Sequence, residues 1–497
     1  MKTVLGIDLG TQSLKVVFYD YERKCIAVTA SSPLEVKRDQ KGKAEQQAEW
    51  WLGALQNALA QVPASVRSSA QAIGVSGQQH GFVPLDAQGN VLAPVKLWCD
   101  TATQQEVREI TERCGGSDNA IALTGNPVLA GYTSPKIRWL RNQHPALYEK
   151  LAHILLPHDY LNYVLTGEYA MEYGDASGTG LLDVRKRAWS EAMLKAVDDE
   201  RDLAACLPKL HHERDIIGGV SKLAADKYGL PIGIPVSTGG GDNMMGAIGT
   251  GNVKAGELTI SLGTSGTLYA YSDTPVIDPH GNIAAFCSSS GGWLPLLCTL
   301  NCTSATELMR KPLGISLDEF DALAASVPAG CDGLITLPFF SGERTPNLPH
   351  AKGCILGLDA HNSSKAHLLR STLEAVSFSL KFGLDELNRL GLQAREITLT
   401  GGGGNSKVWR QLIADLFQLP VRVPDGEEGA SLGAALQALW VLQLQDNPRL
   451  TLAELCAEHV AMSAGKRAEP DARMAAIYEA SYADYRRALK QIVPLFP

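Results

Sequence analysis

Short apolar runs that end in glycine-rich turns alternate along this chain with stretches of helical period, first within residues 1–250 and again beyond them. That alternation predicts an α/β fold. Residues 45–59 put Trp51, Leu55, Ala58 and Leu59 on one face of a helix. Residues 72–76 read as an apolar strand ending in the loop Gly77-Gln78-Gln79-His80-Gly81. Residues 82–85 and 91–97 flank the turn Asp86-Ala87-Gln88-Gly89-Asn90, a hairpin signal. Residues 235–238 form a strand running into Gly239-Gly240-Gly241-Asp242-Asn243, and a small-residue helix follows. The second half repeats the style, with a strand at 397–400, the turn Gly401-Gly402-Gly403-Gly404-Asn405 and a helix over 408–419. Gly429-Ala430-Ser431-Leu432-Gly433-Ala434-Ala435 opens another small-residue helix, able to pack very closely. Met474, Tyr478, Tyr482, Tyr485 and Leu489 make an apolar helical stripe, read as facing a core.

One phrase occurs twice. Gly6-Ile7-Asp8-Leu9-Gly10-Thr11-Gln12-Ser13 aligns with Thr259-Ile260-Ser261-Leu262-Gly263-Thr264-Ser265-Gly266, and the register holds without a gap as far as Asp20 opposite Asp273. Each copy predicts two strands around a Leu-Gly-Thr turn. One hairpin per half predicts two similar domains facing each other, 1–250 and 251–497. Glycine admits an anion close to the backbone, and successive N–H groups with Thr and Ser hydroxyls can cradle phosphate oxygens. The copies differ at one point of chemistry, because Asp8 is a carboxylate and Ser261 is not. The first hairpin can hold a metal or water, while the second grips phosphate alone.

Composition narrows the classes. A chain of 497 residues exceeds one ordinary core. Net charge of −8, with no Lys/Arg-rich run, argues against nucleic acid as a partner. No apolar stretch reaches membrane-span length, and Met1-Lys2-Thr3-Val4 passes straight into the first strand, so neither a membrane nor a signal peptide is expected. Ten scattered cysteines without a C-x-x-C pair fit reduced thiols in a cytoplasm. Cys298 and Cys302, at helical spacing, read as small core residues.

Neither a P-loop nor a dinucleotide G-x-G-x-x-G is present, so a nucleotide would be held by another architecture. Lys15, on the second strand, can reach a terminal phosphate; an exposed strand lysine is the other reading. Asp242 follows three glycines at a strand end and precedes an apolar helix, a place for a catalytic carboxylate or a plain helix cap. Asn243 beside it suits hydrogen bonding to a polyol. Gln79 and His80 sit in a glycine-bounded loop at a strand end, where scaffolds present binding groups. Asp100 reads as a rim residue or a surface turn. Ser341-Gly342-Glu343-Arg344-Thr345-Pro346 reads as substrate contact or as a loop shaped by its own Glu and Arg.

Together these motifs resemble the carbohydrate kinases related to glycerol kinase and gluconokinase, the FGGY family within the actin/hexokinase/Hsp70 superfamily. Ile7-Asp8-Leu9-Gly10-Thr11 looks like the superfamily's first phosphate motif, Ser261-Leu262-Gly263-Thr264-Ser265 its second, and residues 400–404 its adenosine motif. The helices after Asp242 and Gly429 look like its connecting helices. The resemblance covers essentially the whole chain and implies two actin-like (ribonuclease H-like) domains with an interdomain cleft. Within the family, Ser76-Gly77-Gln78-Gln79-His80-Gly81 and Gly241-Asp242-Asn243 are most similar to the xylulokinase branch. Two departures touch the sugar-pocket rim: Gln79 stands where many bacterial members have methionine, and Trp98-Cys99-Asp100-Thr101-Ala102 where they read W-N-D-G-R.

The resemblance implies a ketopentose and ATP as substrates. Gly402, Gly403 and Gly404 would take the adenosine. Gly263, Thr264 and Ser265 would take the inner phosphates, and Gly10, Thr11, Gln12, Ser13 and Lys15 the γ-phosphate. Asp8 would position Mg²⁺. Gln79, His80, Asp242 and Asn243 would hold the sugar, with Asp242 accepting its proton. A ribulokinase or gluconokinase is the near alternative, and an actin- or Hsp70-like ATP switch the distant one. Dimers are common in the family, which leaves a homodimer open.

Overall fold

The computed structural model describes residues 1–426 and 428–496. The chain divides into two compact units, neither continuous in sequence. The first comprises Met1–Val253, Ser272–Leu294 and Glu428–Val460; the second comprises Lys254–Tyr271, Pro295–Glu427 and Ala461–Pro497.

The first unit is built on a 7-stranded sheet. Thr3–Leu9 pairs antiparallel with Ser13–Asp20, which pairs antiparallel with Cys25–Pro33. On its other edge Thr3–Leu9 runs parallel to Ala70–Gly77, which neighbours Pro235–Ser237 and the short Gly240–Gly241. Ile216–Gly219 closes the order antiparallel to Pro235–Ser237. Leu5, Ile7 and Leu9 point to one face and join a core with Trp51, Ala54, Leu55 and Leu59 of the helix Ala48–Ala60. Side chains alternate across a strand, so Gly6 faces the opposite side. There the helix Gly429–Gln443 crosses so closely that a Cβ on Gly6 would lie 1.9 Å from the Ser431 carbonyl oxygen. The same helix meets Asp242–Gly249, where a Cβ on Gly433 would lie 1.8 Å from the Met245 carbonyl oxygen. The run of small residues is thus the condition for two backbones to touch.

The second unit repeats the plan. Glu257–Leu262 pairs antiparallel with Gly266–Ala270, and that strand with Leu296–Thr299. Glu257–Leu262 runs parallel to Glu396–Thr400, followed by Val421–Pro424 in parallel and Met462–Ala468 antiparallel. Strand for strand, this 6-stranded sheet has the order and directions of the first. The duplicated hairpin therefore marks a duplicated sheet, as a ribonuclease H-like pair of domains requires. Tyr478, Tyr482 and Tyr485 of the helix Ala472–Ile492 are buried as expected. Tyr478 Oη accepts from Arg370 at 2.6 Å, and Tyr485 Oη lies 3.0 Å from Ser379 Oγ, both on the helix Lys365–Arg389.

Two local expectations are corrected. The turn at residues 86–90 forms, but Val83–Leu85 pairs with His153–Leu155, and Val95–Lys96 with Ala44–Gln46. Across the turn itself the two segments meet through isolated Leu85–Val91 and Phe82–Lys96 bridges rather than a continuous ladder. Strand pairing follows the buried partner more than the local turn. Cys302 is a buried core residue as expected and Cys298 is half-buried, but they do not share a helix: Cys298 lies in the strand Leu296–Thr299, and Cys302 precedes the helix Thr303–Arg310. No described helix is long and apolar enough to cross a membrane.

Candidate active site

Parallel pairing brings Asp8 level with Ser76, and Gly240 and Gly241 level with Ser76 and Gly77. Three strand ends thus discharge their turns side by side in the first unit. Asp8 receives a hydrogen bond from Ser76 Oγ at 2.8 Å. Its other carboxylate oxygen has no hydrogen-bond partner among the described residues. Burial raises its pKa, against the opposing pull of Ser76 and Lys15.

Asp242 opens the helix Asp242–Gly249, and its Oδ1 accepts from Asn243 N at 2.8 Å and Asn243 Nδ2 at 3.1 Å. The same amide donates to Gln79 Oε1 at 3.0 Å. Burial foremost, then the negative charges of Asp8 and Asp175, push the Asp242 carboxyl up to about 7. Asp8 and Asp242, 234 positions apart in the chain by subtraction of those numbers, therefore sense each other's charge.

Gln79 and His80 are buried. His80 has φ +65°, a left-handed backbone that costs a side chain of this kind on the order of 1 kcal/mol and persists only where surroundings enforce it. The enforcement is visible. Its carbonyl accepts from Lys136 Nζ at 2.8 Å and Thr133 Oγ1 at 3.2 Å. Its ring stands 4.9 Å from Tyr132 and 5.9 Å from Phe286 between centroids. Phe286 comes from Ser272–Leu294, fixed by reciprocal 2.8 Å bonds between Asn126 and the Ala285 backbone.

The first hairpin's turn is tied to the same loop. Thr11 Oγ1 donates to Gln78 Oε1 at 2.9 Å and accepts from Trp98 Nε1 at 3.0 Å, while Gln46 Nε2 donates to the Thr11 carbonyl at 2.8 Å. Gly10, Gln12 and Ser13 complete this turn, closed by Gly10 N to Ser13 O at 3.0 Å. Lys15 pairs with Glu428 at 2.7 Å, at the entry to the helix Gly429–Gln443.

The second unit brings its own turns together. A Cβ on Gly401 would lie 2.9 Å from Gly263 N, so the four-glycine turn rests directly on the second hairpin. Arg410 Nη1 donates to the Gly404 and Asn405 carbonyls, each at 2.9 Å. Thr303 Oγ1 donates to Gly263 O at 2.8 Å and Ser304 Oγ to Thr264 O at 2.9 Å. Within the second unit the turn of Gly263, Thr264 and Ser265 and the turn of Gly402, Gly403 and Gly404 accordingly lie together.

Family models match both halves: the FGGY carbohydrate kinase N-terminal domain over residues 3–249 and the C-terminal domain over residues 258–442. The chain belongs to the FGGY family of carbohydrate kinases. Its relatives include a xylulose kinase of Haemophilus influenzae, 41% identical over 98% of this chain and 99% of that protein. A xylulose kinase of Escherichia coli is 34% identical over 99% of each chain. The crystal structure of a Brucella ovis protein titled as a xyloylose kinase superposes with a TM-score of 0.91 at 31% identity, covering 99% of this chain and 100% of that one.

Other residues of this FGGY kinase take places that sequence reasoning left open or missed. Asp100 is fully buried, accepting from Ala44 N at 2.8 Å and Lys96 Nζ at 3.2 Å, so it is neither rim nor surface turn. Glu343 shapes its loop through Leu300 N at 2.6 Å, Arg344 N at 2.7 Å and Asn301 Nδ2 at 3.0 Å rather than through the Arg344 side chain. Tyr132, Phe286, Ser76 and Gln78 were not singled out. Tyr132 and Phe286 are single aromatics outside any motif, and only the fold brings them to His80.

Proposed function

We propose that this FGGY kinase transfers the γ-phosphoryl group of ATP to the terminal hydroxyl of D-xylulose, giving D-xylulose 5-phosphate and ADP. The observation that carries this reading is the chain of contacts from Asp242 through Asn243 to Gln79 and the neighbouring His80. It sets a carboxylate that can accept a proton beside amide and imidazole groups suited to several hydroxyls. Full-length relatives named as xylulose kinases favour the ketopentose over an aldonic acid.

In this reading Gln79, His80 and Asn243 orient the sugar, and Asp242 aligns the attacking hydroxyl. An oxygen–phosphorus bond forms to the sugar as the bond from the γ-phosphorus to the bridging oxygen of ADP breaks, and the hydroxyl proton passes to Asp242. Phosphoryl transfer depends mainly on positioning and charge stabilisation, so a base with a pKa near neutrality suffices. The donors of residues 10–13 and Lys15 would meet the γ-phosphate; for that Lys15 must exchange Glu428 for the anion. The turns at 263–265 and 402–404 would take the inner phosphates and adenosine. Mg²⁺ fits the donor set at Asp8, a half-buried carboxylate with one uncommitted oxygen, because this ion is held by one or two carboxylates together with substrate phosphates. When bound, it neutralises phosphate charge.

The test is ADP release across D-xylulose, D-ribulose, L-ribulose, D-gluconate and glycerol, with the product identified by mass and NMR. Turnover of D-xylulose at the highest kcat/KM is expected. A higher kcat/KM on gluconate or ribulose would replace the substrate, and ATP hydrolysis indifferent to every sugar would overturn the reading.

A further inference from the structure

Beneath the sugar-type residues lies a fully buried ionic cluster with no part in the proposed chemistry. His158, in the first turn of the helix Pro157–Thr166, hydrogen-bonds through Nδ1 to Asp175 Oδ2 at 2.7 Å, and its Nε2 lies 3.0 Å from Asp159 Oδ1 as an ion pair without hydrogen-bond geometry. Asp159 also accepts from Leu156 N at 3.0 Å, and Glu172 accepts from Gly174 N and Asp175 N at 2.6 and 2.5 Å. Burying three carboxylates and an imidazole is costly unless they pair closely. Burial lowers the His158 pKa, but the surrounding Asp159, Asp175 and Glu172 carboxylates outweigh it and lift the imidazole to about 9.

The placement of this histidine is what points to function. A Cβ on Gly77 would lie 2.9 Å from the His158 backbone N and Cβ, and one on Gly239 would lie 3.2 Å from its ring. Gly77 leads into Gln78-Gln79-His80, and Gly239 into Gly240-Gly241-Asp242. Both turns thus sit on one histidine. Asp175, its partner, belongs to the short helix Tyr173–Ser177, whose following Gly178 abuts His80: a Cβ there would lie 2.1 Å from His80 Nδ1. Ser177 Oγ on the same helix accepts from Cys287 N at 3.0 Å, beside Phe286.

We propose that His158 is a positioning residue of the sugar site: clamped between Asp159 and Asp175 under both glycine turns, it fixes the loop of Gln79 and His80 against the helix start that carries Asp242. This rests on the sugar-kinase reading for its readout, though not on the identity of the sugar. Without the bridge, Asp175 loses its side-chain partner, and the helix that backs His80 and Phe286 loses its tie to the turn before Asp242. A misplacement of about 1 Å costs on the order of 100-fold in rate.

The experiment uses the full-length enzyme and the sugar it turns over best. His158→Leu should lower kcat about 30- to 100-fold and raise the sugar KM, with the ATP KM within about twofold of wild type. His158→Gln keeps a donor toward Asp175 and should recover at least a third of wild-type kcat. Should His158→Leu not fold, Asp175→Asn takes its place, with a fall of about tenfold in kcat at unchanged ATP KM. Unchanged kcat in the folded variants, or equal losses in the sugar and ATP parameters, would overturn the proposal. A wild-type enzyme that phosphorylates no sugar would instead overturn the functional reading, and isothermal titration of sugar binding to wild type and His158→Leu would then decide the positioning role.

Discussion

Asp242 is held where its own ionisation is disfavoured, with burial acting first and the charges of Asp8 and Asp175 adding to it. Two outcomes follow at this one residue. Below about pH 7 the carboxyl is protonated and cannot accept the sugar's proton, so kcat should climb as pH rises through that value; a profile flat between pH 5.5 and 8 would contradict the assignment. Replacing the carboxylate should also stabilise the protein. The folded-state pKa of about 7 exceeds the ordinary 3.8, so the group's favourable contribution is lost as pH rises through about 7. Asp242→Asn is therefore expected to cut kcat by about 10²- to 10⁴-fold while raising Tm, and by more at pH 8 than at pH 5. Activity assays and differential scanning calorimetry read the two effects. At this scale the sequence was informative where chemistry travels with glycine: Asp8, Asp242, Asn243, Gln79 and His80 all stand beside a turn. His158, Asp159, Glu172 and Asp175 were not legible, because in the sequence they look like ordinary charged surface residues. Only a Pro-led helix start with a capping acid marked the place.

The helix Gly429–Gln443 is the element on which this geometry leans. It touches the backbone of Thr3–Leu9 at Gly6 and of Ala70–Gly77 at Gly74, and it packs on Asp242–Gly249 at Gly249 and Gly433. Farther along, Gln437 Oε1 accepts from Ser237 Oγ at 2.9 Å and Gly239 N at 2.8 Å, while its Nε2 donates to Gly239 O at 3.2 Å. One methyl group at Gly433 has nowhere to go. Gly433→Ala should destabilise the protein by about 1–3 kcal/mol and, by moving the helix that begins at Asp242, lower kcat with it. An unchanged Tm by calorimetry would show that the helices separate without cost. Close packing was readable from the run of small residues, since nothing else explains so many on a helix. Its partner strands were not readable, because Gly6 and Gly74 declare a contact only once the sheet exists. The pairing around residues 86–90, reduced to two isolated bridges while the ladders go elsewhere, has the same origin: a turn signal is local and the choice of partner strand is not.

Over the whole molecule, the buried acids and His158 act in one direction. Glu172 and Asp159 are raised to about 7 and about 8, chiefly by burial, and His158 to about 9 by its carboxylate neighbours. Each raised value means stability present at low pH and lost as pH climbs through it. Tm should therefore fall between about pH 5 and 9 in a scanning-calorimetry series; a constant Tm over that interval would contradict the ionic cluster. The acids held below their ordinary range, such as Asp86 and Asp39, lose their contribution only in acid and do not disturb this window.

The first unit, whose sheet begins at Thr3, is finished by Ser272–Leu294 and Glu428–Val460, which supply Phe286 and the glycine helix. During synthesis the ribosome must pass residue 443 before the strand bearing Gly6 gains its permanent cover. Domains of most proteins mature in the order in which they are translated. Here the earliest strands wait for some of the latest residues, so a nascent chain halted near residue 250 would carry an apolar sheet face with nothing laid over it, a substrate for chaperones rather than a finished half of an enzyme.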